Sequence, residues 1–581
     1  MTKKRVFMLG AGFMQGVAIR AARALGCTVV AADGNPSAVC AAEADEFVCI
    51  DLKDTARLID YARYLQQNGG LDAVFTAATD FSAAVAAIAA ACGLRGHMLE
   101  AALNATDKVR MRECFRKADV PSPAFIELTA ADLAAPADRL EARGNVRYSD
   151  LGATTADALE QRLGKLAGCF PLVVKPVDNM GARGCSLVKN LSELRKAAAT
   201  ALQYSRSGRA IVEEYIEGSE FSIEGLIFGG RLYITALADR HIFFPPYFIE
   251  MGHTIPSDCT QDIADEVMSV FERGVHALGL TDGAVKGDIL VRNGKAFVGE
   301  IAARLSGGYM SGWTVPYSCG LDITAAALTL ALGDSPRLHT CGKDFFVVPL
   351  KQNCPFVSAE RAWISIPGQV ASVSGLEAAR AAPFVKDVFP RAGAGDTVVF
   401  PQNNVEKCGN VLSAAPSRRE AVEASEAACR KIVLRLKPHI AETDAFLAEL
   451  NFPAEQQIFP PNFLQFTEPL AGAARTASFA VASGDTGAGA SFEQLLSNAV
   501  YTEKDGFFLP DFLAAALDSA CDLQGRPLRE LLYQALEEES ELASLLRVSE
   551  LADMQQKNSY WKALIRGGLQ GLLYRYDCEK V

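Results

Sequence analysis

The sequence predicts a multidomain chain of α/β and α+β character. Three observations predict it. Short apolar runs alternate with amphipathic stretches at the N-terminus, strand-like and helix-like patterns mix in the middle, and the chain has 581 residues. One hydrophobic core stops growing near roughly 250 to 300 residues. Half of the residues are hydrophobic, enough to fill several cores.

Taken in order, RVFML (5–9) reads as a buried strand, GAGFMQG as a tight glycine loop, VAIRAARALG as a helix and CTVVAAD as a second strand. EFVCID, TARLIDYARYLQQ and LDAVFTA continue the alternation, which is that of a doubly wound parallel unit. The prolines of ADVPSPAF mark a connection. Mixed strands and helices follow to about residue 335. Short strands come next (FFVVPL, AWISI, GQVASVSG, DTVVF), closed by one long helix, RREAVEASEAACRKIVLRL. Residues 471–491, rich in Ala, Gly, Ser and Thr, read as a linker, and the chain beyond reads as helical. There Trp561, Ile565, Leu569, Leu572 and Tyr576 approximate a helical stripe, with Lys562, Arg566 and Arg575 nearby. Such a stripe packs on its own domain or forms a partner or homodimer surface.

A net charge of -12 argues against a nucleic-acid partner, since no basic excess is present to displace counterions. The 15 cysteines include no C-x-x-C pair and no short Cys/His spacing, so neither a disulfide framework nor a zinc site is expected. No apolar stretch approaches the roughly eighteen residues of a membrane span, so no membrane is expected. MTKKRVFMLGAGF is followed by no small-residue cleavage site. A cytoplasmic chain acting on small molecules is expected.

Several local patterns bear on chemistry. GAGFMQG with Asp33 at the end of the next strand resembles a dinucleotide site, and an NAD-dependent oxidoreductase is one reading. Gly16 falls one residue late for G-x-G-x-x-G, and the other reading is a tight turn that lets the first helix pack. PLVVKP delivers Lys175 on a short strand, and a loop with Gly181, Arg183 and Gly184 follows at once. A fixed ammonium facing the amides of a glycine loop suits phosphates. In AIVEEYIEGSEFSIEG, the extended backbone of Glu214 to Ile216 can pair with an adenine edge while a carboxylate takes ribose hydroxyls.

In GDILVRNGKAFVGEIAARLSGG, Asp288 and Glu300 flank an Asn293-Gly294 turn. A plain two-residue turn would put the two carboxylates on opposite faces. A three-residue loop with a bulge at Gly294 puts Asp288, Leu290, Val298, Glu300, Ala302 and Arg304 on one face and Ile289, Val291, Phe297 and Ile301 on the other. The second pattern buries an apolar face and is the expected one. Two carboxylates on one face suit Mg²⁺, which completes its shell with phosphates.

In this order of strand lysine, glycine lid, E-E-Y-I with a second Glu seven residues after the first, and D-(x)11-E-(x)3-R, the chain resembles the ATP-grasp superfamily from about residue 5 to 435. It is most similar to the carboxylate-amine ligase branch, which includes L-amino acid ligases and relatives of the carbamoyl phosphate synthetase large subunit. The resemblance implies a Rossmann-like pre-ATP-grasp domain (1–118), an ATP-grasp domain (119–335), a mixed C-terminal lobe (336–440) and a linker with a helical extension of unassigned role (441–581). It implies that Lys108 and Lys175 bind the phosphates of ATP, that Glu213 with the 214–216 backbone holds adenine and that Glu220 holds ribose. Asp288 and Glu300 would ligate Mg²⁺, and Arg304 would stabilise the transferring phosphoryl group. PPYFIEMGHTIPS is similar to a substrate-facing segment, nominating Glu250 and His253, and Ser306, Gly307 and Gly308 resemble the loop where an amino-acid substrate sits. The family commonly carries an asparagine where this chain has Ala302, so one firmly held Mg²⁺ is expected and a second would lack a ligand. The implied reaction joins a small-molecule carboxylate to an amine through an acyl phosphate. A nucleotide-binding module without catalysis is the remaining reading.

Overall fold

The computed structural model describes residues 3–133, 158–336, 339–340, 343–344, 354–448, 496, 499–518, 521–522, 526–547 and 554–580. The expected strand FFVVPL (345–350) and the linker 471–491 lie outside the described residues. The chain forms two compact units: residues 1–242, 252–360 and 413–422, and residues 243–251, 361–412 and 423–581.

The first unit opens with a parallel sheet of β1 (Arg5–Leu9), β2 (Thr28–Asp33), β3 (Glu46–Cys49) and β4 (Ala73–Phe75), ordered β3-β2-β1-β4. Helices α1 (Phe13–Ala24), α2 (Thr55–Gln67) and α3 (Ser82–Cys92) connect the strands. Side chains of β1 feed two separate cores, Val6 and Met8 one, Phe7 and Leu9 the other, as expected of a strand covered on both faces. The glycine loop is held by Asp33, whose carboxylate accepts from the Ala11 N–H at 2.9 Å and the Asn35 N–H at 2.8 Å. A Cβ at Gly16 would come within 2.5 Å of Cys40 Sγ, so that glycine serves close packing of α1.

A second, antiparallel sheet holds β5 (Phe125–Thr129), β6 (Leu172–Pro176), β7 (Ser186–Val188) and β8 (Arg209–Glu214) in the order β5-β8-β6-β7. A third contains β9 (Ser219–Phe228), β10 (Arg231–Phe243), β11 (Ile249–Ile255), β12 (Gly283–Arg292) and β13 (Lys295–Ala302), ordered β13-β12-β9-β10-β11 and continued by Val357–Trp363 and Gly409–Ala415. Its inner face packs Ile289, Val291, Ala296, Val298 and Ile301 against Phe271 and Val275 of the helix Gln261–Leu278.

The β12-β13 turn differs from the expected one. Arg292 pairs with Lys295, so the turn has two residues, and Asn293 (φ 53°) and Gly294 (φ 76°) both take the left-handed backbone that such a turn needs. The register then shifts by one between Ile289 and Asp288, so that Gly299 stands unpaired as a β-bulge and Asp288 pairs with Glu300. The bulge suits glycine because a Cβ there would lie 3.0 Å from the Asp288 carbonyl oxygen. The carboxylates therefore share a face as expected, but through a bulge five residues beyond the turn. Between turn and bulge the faces exchange: Phe297 lies with Leu290 on the carboxylate side, and Val298 points into the core with Ile289.

Two further expectations are corrected in the second unit. The helix Arg418–Lys431 stops before Val433–Leu436, which is a strand paired with Gly368–Ser374. Strand pairing there overrides the helical reading of a β-branched, apolar tail. The segment Met554–Lys580 is not one straight helix, because the backbone breaks at Gly568 (φ 60°, ψ -145°). It returns on itself, with Arg575 Nε donating to Ser559 Oγ at 3.0 Å, and Gly571 lies so close to the Ala563 carbonyl that a Cβ would come within 2.1 Å. Trp561, Ile565, Leu569, Leu572 and Tyr576 are all buried in the core of their own unit rather than presented as a partner surface. Among the described residues no helix is long and apolar enough to cross a membrane.

Candidate active site

The register of the third sheet assembles one polar face. Across β13, β12, β9 and β10 one row reads Glu300, Asp288, Ser222, Ala238, and its neighbours read Ala302, Lys286, Glu224, Ala236 and Phe297, Leu290, Glu220, Arg240. Alternation does this, because residues two apart on a strand share a face.

The carboxylates are set among cations. Lys286 Nζ lies 2.6 Å from Asp288 Oδ2, Ser222 Oγ donates to Asp288 Oδ1 at 3.0 Å, and Lys108 Nζ lies 3.3 Å from Glu300 Oε1. Burial pushes the Glu300 carboxyl up, but Lys108, Lys286, Lys175 and Arg304 together outweigh it and hold the group at about 2. Being depressed below the ordinary 4.5, this carboxyl contributes stability that is present above about pH 4.5 and is lost as the pH falls through about 2. A Glu300→Gln variant lacks that contribution, so its stability deficit relative to wild type is expected to shrink between pH 4.5 and 2, measured by circular dichroism in acid titration.

Lys108, buried at the start of the helix Lys108–Lys117, also donates to the Asn179 carbonyl at 2.7 Å and so ties the glycine loop to Glu300. Gly181 (φ 67°) and Gly184 (φ 70°) carry that loop through left-handed backbone. Cys185 follows it. Chiefly through burial, its thiol is pushed up to about 11, despite Lys175 nearby.

On β6, Lys175 lies 2.6 Å from Glu213 Oε2, and Arg112 Nε lies 2.8 Å from Glu213 Oε1. Both oxygens of Glu213 thus face cations, and Arg112 and Lys175 overcome burial to hold its carboxyl below the usual range. Glu213 therefore fixes the Lys175 ammonium. Glu214 pairs with Arg292 at 3.0 Å, Ile216 is buried, and Glu220 pairs with Arg240 at 2.8 Å.

Arg304 reaches the same region, with Asp80 at 3.9 Å, and Arg206 lies 3.8 Å from Asp80. Burial pushes the Asp80 carboxyl up against the opposing pull of Arg304 and Lys108. Glu224 holds the next loop: its Oε1 accepts from the Ser306 N–H and from Ser311 Oγ, each at 2.6 Å. The Gly308 N–H donates to Ser306 Oγ at 3.3 Å, and Gly307 lies against Ala78.

Two nominees remain, His253 and Glu250. His253 is buried, between Ser222 and Glu360. Glu250 belongs to the second unit, where its N–H donates to Asn404 Oδ1 at 2.8 Å and Lys407 donates to its carbonyl at 2.6 Å. Sequence reasoning missed Lys286, Ser222, Glu224 and Arg240. For Lys286, Ser222 and Glu224 the signal was present as charged or hydroxylated residues two apart in EFSIE and KGD, each separated by a residue of the core face.

The donor set fits one Mg²⁺. Asp288 and Glu300 would be adjacent oxygen ligands, and two carboxylates suffice for an ion that otherwise takes water and phosphate. Ala302 adds no ligand, its row presents the ammonium of Lys286, and among the described residues no group of three or more His, Cys, Asp or Glu could hold a metal.

Known proteins share this arrangement of elements. Residues 169–312 match the ATP-grasp domain family, and residues 362–437 match the L-amino acid ligase C-terminal domain 2. An uncharacterized protein of Sinorhizobium fredii, y4rH, is 23% identical over 414 residues, which cover 71% of this chain and 78% of that protein. The alanine–anticapsin ligase of Bacillus subtilis is 26% identical over 264 residues, 41% of this chain and 50% of the ligase, so the chain spans about half of that relative. The L-amino acid ligase of Bacillus licheniformis has a similar fold, with a TM-score of 0.59 at 19% identity over 75% of this chain and 100% of that one. The chain thus carries an ATP-grasp domain followed by an L-amino acid ligase C-terminal domain, and it is similar to carboxylate–amine ligases in sequence and in fold.

Proposed function

We propose that the protein activates a carboxylate as an acyl phosphate with ATP and joins it to an amine, at least one substrate being an amino acid. The observation that carries this reading is the Asp288–Glu300 cross-strand pair, ringed by Lys108, Lys175, Lys286 and Arg304. Asp288 and Glu300 would hold Mg²⁺, which would supply neutralisation of phosphate charge there. Lys175, fixed by Glu213, and Lys108, fixed by Glu300, hold the phosphates under the glycine loop. The 214–216 backbone takes the adenine edge and Glu220 the ribose. A substrate carboxylate oxygen attacks the γ-phosphorus, and the bond to the β-phosphate oxygen breaks to release ADP. The amine nitrogen then attacks the acyl carbon, loses a proton, and phosphate leaves with the C–O bonding pair. Arg304 stabilises the phosphoryl oxygens, while the loop of Ser306, Gly307 and Gly308, braced by Glu224, positions the amino acid. The protein works by positioning and charge neutralisation, as phosphoryl transfer requires.

That a relative is an alanine–anticapsin ligase supports this reading. The dinucleotide alternative is disfavoured, since both oxygens of Asp33 accept from the glycine loop and its flank. The test is ADP release in the presence of pooled amino acids and other carboxylates, with mass spectrometry of the product. Release that depends on both an acid and an amine, with a condensed product, supports the ligase. Release with no pool, or tight NAD binding without ATP binding, overturns it.

A further inference from the structure

Three buried side chains without a part in the chemistry above lead to Asp288. Glu360 Oε2 lies 2.9 Å from His253 Nδ1, His253 Nε2 lies 3.2 Å from Ser222 Oγ, and Ser222 Oγ donates to Asp288 Oδ1 at 3.0 Å. Glu360 and Ser222 are 0% exposed and His253 1%. They come from three strands, Val357–Trp363, β11 and β9.

The Ser222 hydroxyl donates to Asp288, its oxygen faces His253 Nε2, and the Glu360 carboxylate faces His253 Nδ1. His253 is thus joined to one carboxylate directly and to a second through a hydroxyl. Taking such a chain of ions out of water costs several kcal/mol per ion, and a well-packed apolar replacement is often no less stable. What the chain does supply is orientation of the groups it joins. Lys286 lies 2.6 Å from Asp288 Oδ2, whereas the Ser222 hydroxyl donates to Oδ1, which Arg240 Nε approaches at 3.8 Å, so the hydroxyl helps hold the carboxylate against a turn toward Lys286.

We propose that Glu360, His253 and Ser222 form a positioning relay that sets the Asp288 carboxylate for a divalent cation. The inference rests on the Mg-ATP reading of the site. None of the three residues contacts the ion itself, and each acts through the next, as outer-shell partners of metal ligands do.

The test is Mn²⁺ binding to the full chain in the presence of ADP, followed by electron paramagnetic resonance of the free ion. Ser222→Ala and Glu360→Gln are each expected to weaken Mn²⁺ binding on the order of 10-fold or more. ADP affinity without metal and the far-ultraviolet circular dichroism should be unchanged. The double variant should be no weaker than the weaker single one, since one path is broken twice. Wild-type Mn²⁺ affinity in folded Ser222→Ala, or losses that multiply in the double variant, overturns the relay alone. Absence of Mn²⁺ binding by the wild-type chain with ADP overturns both the relay and the Mg-ATP reading.

Discussion

Glu300→Ala is expected to lower the rate of substrate-dependent ADP release on the order of 10²- to 10³-fold, the range seen when one preorganised charge-stabilising group is removed. Two losses combine in this variant. One of the two oxygen ligands proposed for the cation disappears, and Lys108 loses the carboxylate 3.3 Å away that fixes its ammonium. Both bear on the same phosphates. The fold should persist, because the side chain is 36% exposed and leaves no unfilled core. Steady-state ADP release measured beside thermal unfolding separates the two effects. A variant that is folded and still releases ADP at a rate close to wild type would remove Glu300 from the active centre.

Glu213→Ala should act first on stability. The Glu213 carboxylate is 3% exposed and bonds to Arg112, whose side chain is 0% exposed, and to Lys175. Deleting it leaves a buried guanidinium without its carboxylate partner, and breaking a buried ion pair in this way costs about 3–5 kcal/mol. The melting temperature of the first unit is therefore expected to fall by more than about 5 °C. Arg112→Met in the same chain removes the stranded charge and should restore much of the loss, since an apolar replacement of a buried pair is often neutral. It should not restore activity, because Lys175 still lacks its anchor. An unchanged melting temperature for Glu213→Ala would show that water or another group compensates Arg112, contrary to its burial.

Much of the site was legible because its parts are local. Lys175 and the glycine loop are adjacent in sequence, and so are the two halves of the hairpin that carries Asp288 and Glu300. Strand periodicity assigned the first parallel sheet for the same reason. Other parts were legible in principle but were passed over, such as Ser222 and Glu224, which alternate with the core residues Phe221 and Ile223. Asp80, Arg206 and Glu360 could not be read from sequence as neighbours of the site, since no local pattern brings residues so far apart together. The neighbours of His253 were likewise not legible, since Ser222 and Glu360, between which it is buried, are distant in sequence.

Two glycines mark where local reasoning failed outright. At Gly568 the helical stripe continues in the sequence, but the chain reverses, because a glycine can take the positive φ that ends a helix and the neighbouring Gly571 lets the two arms touch. At Gly299 one unpaired residue restores the parity that the two-residue turn had broken. By itself the sequence determined the residue types of the site, their order, and the pairing of Asn293 with Gly294 as a turn, since these depend on backbone preference and spacing along the chain. Only the tertiary structure decided which faces they occupy and which cations meet them. A strand flips every side chain with a shift of one residue, and where that shift falls is set by packing of the whole sheet, including the Arg112 guanidinium that donates to the Gly299 carbonyl at 2.6 Å.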